Sequence, residues 1–352
     1  MKSLIKKMLK KNLFVFATAT ISLFTCTSFF TGCSKEKTTS GGGSIAIFIP
    51  GIAADSPIYA NLEKGVQNGV NEYNATATEG KKATVTVLEA GTNQAEWSGK
   101  LTELAATGSY DVIISSNPAL PELCAPLTQQ FPSVRFILLN AENDGNDHIF
   151  AVNYNQKEQS YLTGYIAGLM SKTHKVGLIA AQEYPDMDNI LLPYYTRGAQ
   201  DSAKGTTVDF RIVGNWYDAS KGAELADAMC AAGVDVILPI CGGASQGVIN
   251  SAKAHQIHLN WFDENGFSKA PGTIISSCMV KQDVAAKEVT LDYLNGKTPW
   301  GTTKVAGITE GYIEFVQDDP LYQMYVPEAV RMQVDALVQG FKSGSVSAPE
   351  LN

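Results

Sequence analysis

Asp263 closes the apolar run IHLNWFD, and an ionised carboxylate there is an acceptor-only group with two oxygens, suited to a pair of neighbouring hydroxyl donors. Lys281 follows ISSCMV and can donate to a hydroxyl or ring oxygen while balancing Asp263, through charge-assisted bonds stronger than neutral ones. The alternative use of Lys281 is a structural ion pair where the chain crosses between lobes. Trp216 comes just after VDFRIVG. A flat indole over a flat heterocycle gains about 0.5–1.5 kcal/mol beyond area burial, and Tyr59 can close such a sandwich from the opposite side. Both aromatics also suit ordinary packing between lobes. Asn117, after DVIISS, can donate and accept toward a ring edge, or cap a helix, since Pro118 follows it. Gly242 and Gly243 let a backbone amide approach a ligand closely, or simply turn a strand into a helix. The chemistry offered is recognition of a small polar molecule with a flat face, with no bond made or broken.

Motifs for bond-breaking chemistry are missing: the sequence has no GxSxG, no P-loop and no HExxH. His255 and His258 lie three apart, but one ends a helical segment and the other starts a strand, which argues against a metal pair. Cys124, Cys230, Cys241 and Cys278 sit in apolar contexts with no CxxC or zinc spacing, so they read as small buried hydrophobes. No cofactor is expected.

The elements that must position these groups follow from periodicity. SIAIFIP (44–50), ATVTVLEA, DVIISS, VRFILLN and HIFAVNYN (148–155) read as strands. Between them, Tyr59, Leu62, Val66, Val70 and Tyr73 recur at helical spacing, and helices are expected over 94–106 and 120–130. The scheme then restarts. Helices over 156–170, 190–203, 219–232 and 244–255 alternate with the strands KVGLIAA, VDFRIVG, VDVILPI and IHLNWFD. TIISSCMVK, a helix near 283–294, GYIEFVQ and a helix over 327–340 complete the chain. Repeated βα units imply parallel sheets with helices on both faces. In such folds ligands bind beyond the carboxyl ends of the strands. That rule selects the loops 50–59, 115–118, 184–189, 215–218, 241–245 and 263–265.

The amino terminus is a different object. Lys2, Lys6, Lys7, Lys10 and Lys11 precede an uncharged run from Leu13 to Phe30 that closes on Gly32-Cys33. This resembles a secretory signal ending in the lipobox of bacterial lipoproteins, with cleavage before Cys33 and lipid, palmitate included, carried there. Residues 34–44 have no apolar side chain and three consecutive glycines, the composition of a flexible tether. Removal of the five signal lysines from the 27 basic residues leaves 22 against 35 acidic ones, a net charge of −13 that excludes nucleic acid as a partner.

YLTGYIAGLMSKTHKVGLI, FPSVRFILLN, GNWYDASKGAELADAMCAAGVDVILPICGGASQGVI and SSCMVKQDVA occur in this order. Together they resemble segments of the basic membrane protein family, the solute-binding lipoproteins of ABC transporters. The resemblance implies an α/β, type I periplasmic-binding-protein fold, with two Rossmann-like lobes of parallel sheets joined by a multi-crossing hinge. Residues 1–32 are then the signal peptide and 33–44 the tether. Residues 45–152 form lobe 1, with about 280–313 returning to it, and 153–279 form lobe 2, with about 314–352 returning.

The resemblance further implies capture of a nucleoside, purine in the best-understood members, for an ABC permease and its ATPase. It implies a lipid anchor at the cell membrane on the extracytoplasmic side, and no enzymatic activity. It places Trp216 where the family carries a base-stacking aromatic. The departure is at FIPGIAADSPIYAN, where the family often has an Asp on the first strand to grip the base edge. Pro50 or Gly51 stands there instead, which leaves Asp55 as the substitute. The same fold holding a sugar or another small polar solute, and a surface nucleoside hydrolase, are the alternatives.

Overall fold

The computed structural model describes residues 42–351. The expected signal peptide, Cys33 and most of the expected tether lie outside the described residues.

Strand runs such as Ile45–Ile49 and Val112–Ser116 are buried on both faces, as a parallel sheet covered by helices on each side requires. The first sheet holds β1 (Ser44–Ile49), β2 (Thr84–Glu89), β3 (Val112–Ser116), β4 (Arg135–Leu139), β5 (Ile149–Tyr154) and β11 (Thr303–Ala306). Its order is β11-β5-β4-β3-β1-β2, parallel throughout. The second holds β6 (Lys175–Ala180), β7 (Thr207–Ile212), β8 (Val236–Ile240), β9 (His258–Asp263), β10 (Ile274–Val280) and β12 (Ile313–Phe315). Its order is β12-β10-β9-β8-β6-β7, with only β12 antiparallel.

Side chains alternate between two cores in the first sheet. Ile45, Ile47 and Ile49 face Leu62, Val66 and Val70 of α1 (Pro57–Thr76) and Val289 of α8 (Gln282–Leu294). Ala46 and Phe48 face Trp97, Leu101 and Leu104 of α2 (Trp97–Ala106), with Leu120 and Leu127 of α3 (Leu120–Gln130). In the second sheet, α4 (Gln156–Met170), α5 (Leu192–Ser202) and α10 (Glu328–Lys342) pack together on one side. On the other side, α6 (Ala219–Ala231) and α7 (Ser245–His255) form the second helical layer. The short α9 (Pro320–Tyr325) lies beside β10.

The GYIAG stretch of α4 serves helix packing. A Cβ on Gly164 would stand 2.0 Å from the Tyr195 carbonyl oxygen of α5, and one on Gly198 would stand 2.1 Å from that of Tyr161. Only glycine permits this backbone-to-backbone approach. A π-turn over Met187–Leu191 opens α5, and Pro193 comes two residues after it. Proline has no N–H for the ordinary i−4 bond, and the wider turn precedes the place where that bond is missing.

The chain passes between the sheets three times: from β5 into α4, from β10 into α8, and from β11 to β12. The crossings are bonded to one another. Asn155 N donates to the Ala306 carbonyl at 2.8 Å, Lys281 N donates to the Tyr312 carbonyl at 2.8 Å, and Ile308 N donates to Glu158 Oε2 at 2.9 Å. Two elements went unread in the sequence, β11 and α9. TKVA is short and half polar, so it makes a strand only because β5 offers it a free edge.

Candidate ligand-binding site

The strand ends of the first sheet bring Tyr59 and Asn117 together. Tyr59, three residues into α1, lies over Gly51, where a Cβ would stand 2.8 Å from the phenol ring. Its hydroxyl accepts from Asn117 Nδ2 at 3.1 Å, while Asn117 Oδ1 accepts from Ala119 N at 2.9 Å. Asn117 thus steadies the turn before α3 without capping that helix, whose cap position is Ala119, and gives its amide N–H to Tyr59. Burial pushes the Tyr59 hydroxyl up to about 12, against the opposing Asn117 bond. Asp55 is exposed on a short 3-10 turn before α1.

In the second sheet, β7 leads to an Asn215 turn whose Oδ1 accepts from Tyr217 N at 2.9 Å and Asp218 N at 2.8 Å. This turn seats Trp216 against Gly242 and Gly243. The Trp216 carbonyl accepts from Ala244 N at 3.2 Å, and a Cβ on Gly242 would stand 3.0 Å from that carbonyl oxygen and 3.3 Å from the indole. Gly242 also has φ of +55°, which favours glycine. Tyr184, after β6, holds its ring 6.5 Å from that of Trp216, tilted by 40°.

Asp263 ends β9 with φ of +69°, an uncommon conformation for a residue with a side chain. Gln159 Nε2 lies 3.4 Å from its Oδ1. Burial pushes the Asp263 carboxyl up to about 6; the Gln159 amide partly offsets this and Glu264 adds to it. The expected counter-charge is not there. Lys281 directs its ammonium to Glu314 Oε2 at 2.8 Å, and no ion pair joins it to Asp263 among the described residues. Glu314 on β12 competes for the lysine because β12 runs antiparallel beside β10, with Glu314 paired to Met279.

Shared electrostatic perturbation ties these parts together. The Tyr184 hydroxyl, whose ring neighbours Trp216, is raised by burial and then by the charge of Asp263. Tyr217 is raised by burial and then by Asp55, and it in turn raises Tyr59. Residues from the strand ends of both sheets therefore lie within electrostatic reach of one another. Tyr59, Tyr184 and Asp263 are each half-buried.

Sequence reasoning missed Tyr184, Tyr217 and Gln159. Tyr184 and Tyr217 lie in loops that the strand-end rule selects, so their aromatic character was the available signal. Gln159 belongs to a crossing, which that rule does not reach.

A shallow, open depression of about 520 Å³ beside α1, lined by Ala60, Lys64, Gln67 and Glu89, contains none of these side chains. No group of three or more His, Cys, Asp or Glu side chains among the described residues is arranged to hold a metal ion. No described helix is long and apolar enough to cross a membrane.

The profile of the Bmp family, described as ABC transporter substrate-binding protein PnrA-like, matches residues 43–345. The chain is 23% identical to basic membrane protein A2 of Borrelia garinii subsp. bavariensis, over 90% of each chain. It is 22% identical to the ABC transporter nucleoside-binding protein BmpA of Lactococcus lactis subsp. cremoris, covering 72% of this chain and 80% of that one. Among solved structures, an ABC transporter solute-binding protein from Aeropyrum pernix superposes with a TM-score of 0.69 at 19% identity, over 88% of this chain and 94% of the other. The shared architecture is that of type I periplasmic binding proteins.

Proposed function

From its membership of the Bmp family of ABC transporter substrate-binding proteins, to which the chain belongs, we propose that it captures a nucleoside, purine in the leading case, between its two lobes and delivers it to a permease and ATPase. The family is one of solute-binding components of transporters, not enzymes. In this reading Cys33 carries the lipid that holds the protein on the extracytoplasmic face of the cell membrane, and residues 33–44 give it reach.

One observation carries the reading. Tyr184 stands beside the Trp216 ring and within the field of Asp263, which supports a flat face and a two-oxygen acceptor serving one ligand. A nucleoside is a flat heterocycle joined to neighbouring hydroxyls. Trp216 and Tyr184 stack the base, with Tyr59 closing on it from the other lobe. Asp263 accepts from the sugar hydroxyls. Asn117 and Asp55 face the base edge, and the Gly242–Gly243 backbone brings amides close to the ligand. Lys281 reaches a ligand oxygen by exchanging away from Glu314. Ligand held on both sides supplies the free energy of lobe closure about the hinge.

A free sugar or polyol is the second reading. It is favoured by Pro50 and Gly51 where the family often has a carboxylate, with the neutral, mutually bonded Tyr59 and Asn117 beside them.

The test is calorimetry or native mass spectrometry of the protein against nucleosides, free bases and sugars. Binding of nucleosides, lost in Asp263→Ala and Trp216→Ala proteins that remain folded, is the expected result. Unchanged binding in both variants overturns the site.

A further inference from the structure

The outer edge of the first sheet is built differently from the other sheet edges. β2 ends that sheet, and among the described residues no strand pairs with its far side. Thr84 N donates to the Gly43 carbonyl at 3.0 Å and Ala90 N to the Ile49 carbonyl at 2.8 Å, so the even-numbered residues of β2 bond to β1. The N–H and C=O groups of Val85, Val87 and Glu89 therefore point outward. Side chains close the edge at both ends of this stretch. Asn74 of α1 stands in for a neighbouring strand at Ala83, accepting from its N at 2.8 Å and donating to its carbonyl at 2.9 Å. At the other end, Lys100 Nζ donates to the Ala90 carbonyl at 2.7 Å and Trp97 Nε1 to the Gly91 carbonyl at 2.8 Å.

Native sheets guard their edges with charge, proline, bulges or very short strands. The other edges here do so. β11 carries Lys304, β7 carries the Asp209–Arg211 ion pair at 2.7 Å, and β12 is three residues long with Glu314 at its centre. TVTVLE has no such device before its last residue, and its first four residues are β-branched, which suits a strand. Val87, at the middle of the open stretch, is 38% exposed. Glu89 turns its carboxylate back to Ala53 N at 2.8 Å.

We propose that β2 pairs antiparallel with β2 of a second copy of this chain, about a two-fold axis at Val87. Only odd-numbered residues face outward, so the two strands must pair odd with odd. Asn74 already occupies Ala83, and the register centred on Val87 is the one that uses all three open residues. Val87 faces Val87, and each Val85 faces Glu89 of the other copy, each pair exchanging two backbone bonds. The open stretch of one copy is thus the complement of the open stretch of the other, as a two-fold interface requires. Charge agrees with this direction. Lys81 and Lys82 precede the strand and Glu89 closes it, so an antiparallel mate lays the basic end of each beside the acidic end of the other. A parallel mate would set like charge on like. Ala60 and Gln67 of α1 line a shallow depression beside Glu89, which leaves room for the partner's side chains. A strand pair is small beside the roughly 1,200–2,000 Å² of a stable complex, so the dimer is weak. β2 lies at the opposite edge of its sheet from β11, and the pairing leaves the crossings uncovered. The inference does not depend on what the protein binds.

The test is sedimentation velocity of the protein from micromolar to hundreds of micromolar, as wild type and as Val87→Lys. Lysine at an exposed strand position is tolerated in one copy, but at the axis it sets two ammonium groups against each other. Wild type is expected to show a concentration-dependent dimer. Val87→Lys should need at least about fivefold more protein to reach the same dimer fraction, with a melting temperature within a few degrees of wild type. Cysteine trapping tests the register and decides if Val87→Lys does not fold. Paired residues at position 87 stand about 5.5 Å apart, within disulfide range, whereas Thr84 faces Ala90 in this register and lies far from its own copy. Under mild oxidation Val87→Cys should form covalent dimer several-fold faster than Thr84→Cys, with wild type giving the background from the native cysteines.

A wild type that stays monomeric throughout overturns the inference, whether the edge then stays open or holds an extended segment of another protein. A dimer unchanged by Val87→Lys overturns it as well, because that dimer uses another surface. Equal trapping at 84 and 87 overturns the register and the two-fold pairing with it.

Discussion

The ring of Tyr184 stands 6.5 Å from the indole of Trp216, and its hydroxyl feels the charge of Asp263. One side chain thus neighbours a stacking face and feels a carboxylate, although the three residues come from the ends of three different strands or the loops after them. Trp216→Ala should remove the stacking face and the packing surface of Gly242 together. Affinity for a nucleoside is expected to fall roughly tenfold to a hundredfold, since stacking is worth about 0.5–1.5 kcal/mol beyond the buried area also lost. Tyr184→Phe keeps the ring and should lose less than tenfold. Calorimetry on the two variants checks the ordering, and a larger loss for Tyr184→Phe than for Trp216→Ala would reverse the assignment.

Asp263 gives the site a pH dependence with a defined sign. Its folded carboxyl titrates near 6, above the ordinary value of 3.8, chiefly because burial disfavours the charge. The folded state therefore holds a proton that the unfolded state releases between pH 4 and 6, and this group's contribution makes the ligand-free protein less stable as pH rises through that window. Binding runs the other way, because only the ionised form accepts two hydroxyls. Affinity should weaken about tenfold from pH 7 to pH 5. Asp263→Asn should flatten the profile and melt higher than wild type at pH 7, with the difference fading below pH 4. Melting curves and titrations at a few pH values suffice to check both signs.

Glu314 holds the Lys281 ammonium at 2.8 Å, away from Asp263. Both members of the pair are about a third exposed, so breaking it is expected to change stability by only about 0–1 kcal/mol. The informative variant is Glu314→Gln, which frees the ammonium. A cation moving toward Asp263 favours the ionised carboxylate, so the pH midpoint of ligand affinity should fall below 6. A midpoint left where it was in wild type would mean that Lys281 does not reach the carboxylate.

How far the sequence carried this picture depended on what each feature rests on. The boundaries of α3 and α4 were legible to the residue, because apolar periodicity and flanking prolines or polar residues are local signals. The strand-end rule reached Asp263, Trp216, Tyr59 and Asn117 because it follows from topology alone. Of the two uses open to Lys281, the structure shows the ion pair; its partner Glu314 could not be read, since it sits on β12, whose antiparallel placement is decided by tertiary packing. β11 was invisible for the same reason.

The contact between α4 and α5 offers a test of the fold that is independent of any ligand. A Cβ on Gly164 would overlap the Tyr195 carbonyl at 2.0 Å, and backbone cannot move aside as a flexible side-chain tip can. Gly164→Ala must therefore push the helices apart in a well-packed layer, at an expected loss of about 1–3 kcal/mol or more. For a protein of this size that corresponds to a melting temperature lower by several degrees. Gly99 is the matched control. It is exposed on α2, with nothing within 4 Å of an added Cβ and ordinary helical geometry. Gly99→Ala should raise stability by about 0.5–1 kcal/mol, because alanine loses less conformational freedom in a helix. Thermal unfolding followed by circular dichroism separates the two. Equal melting temperatures for Gly164→Ala and wild type would mean that the helices are not in backbone contact at that crossing.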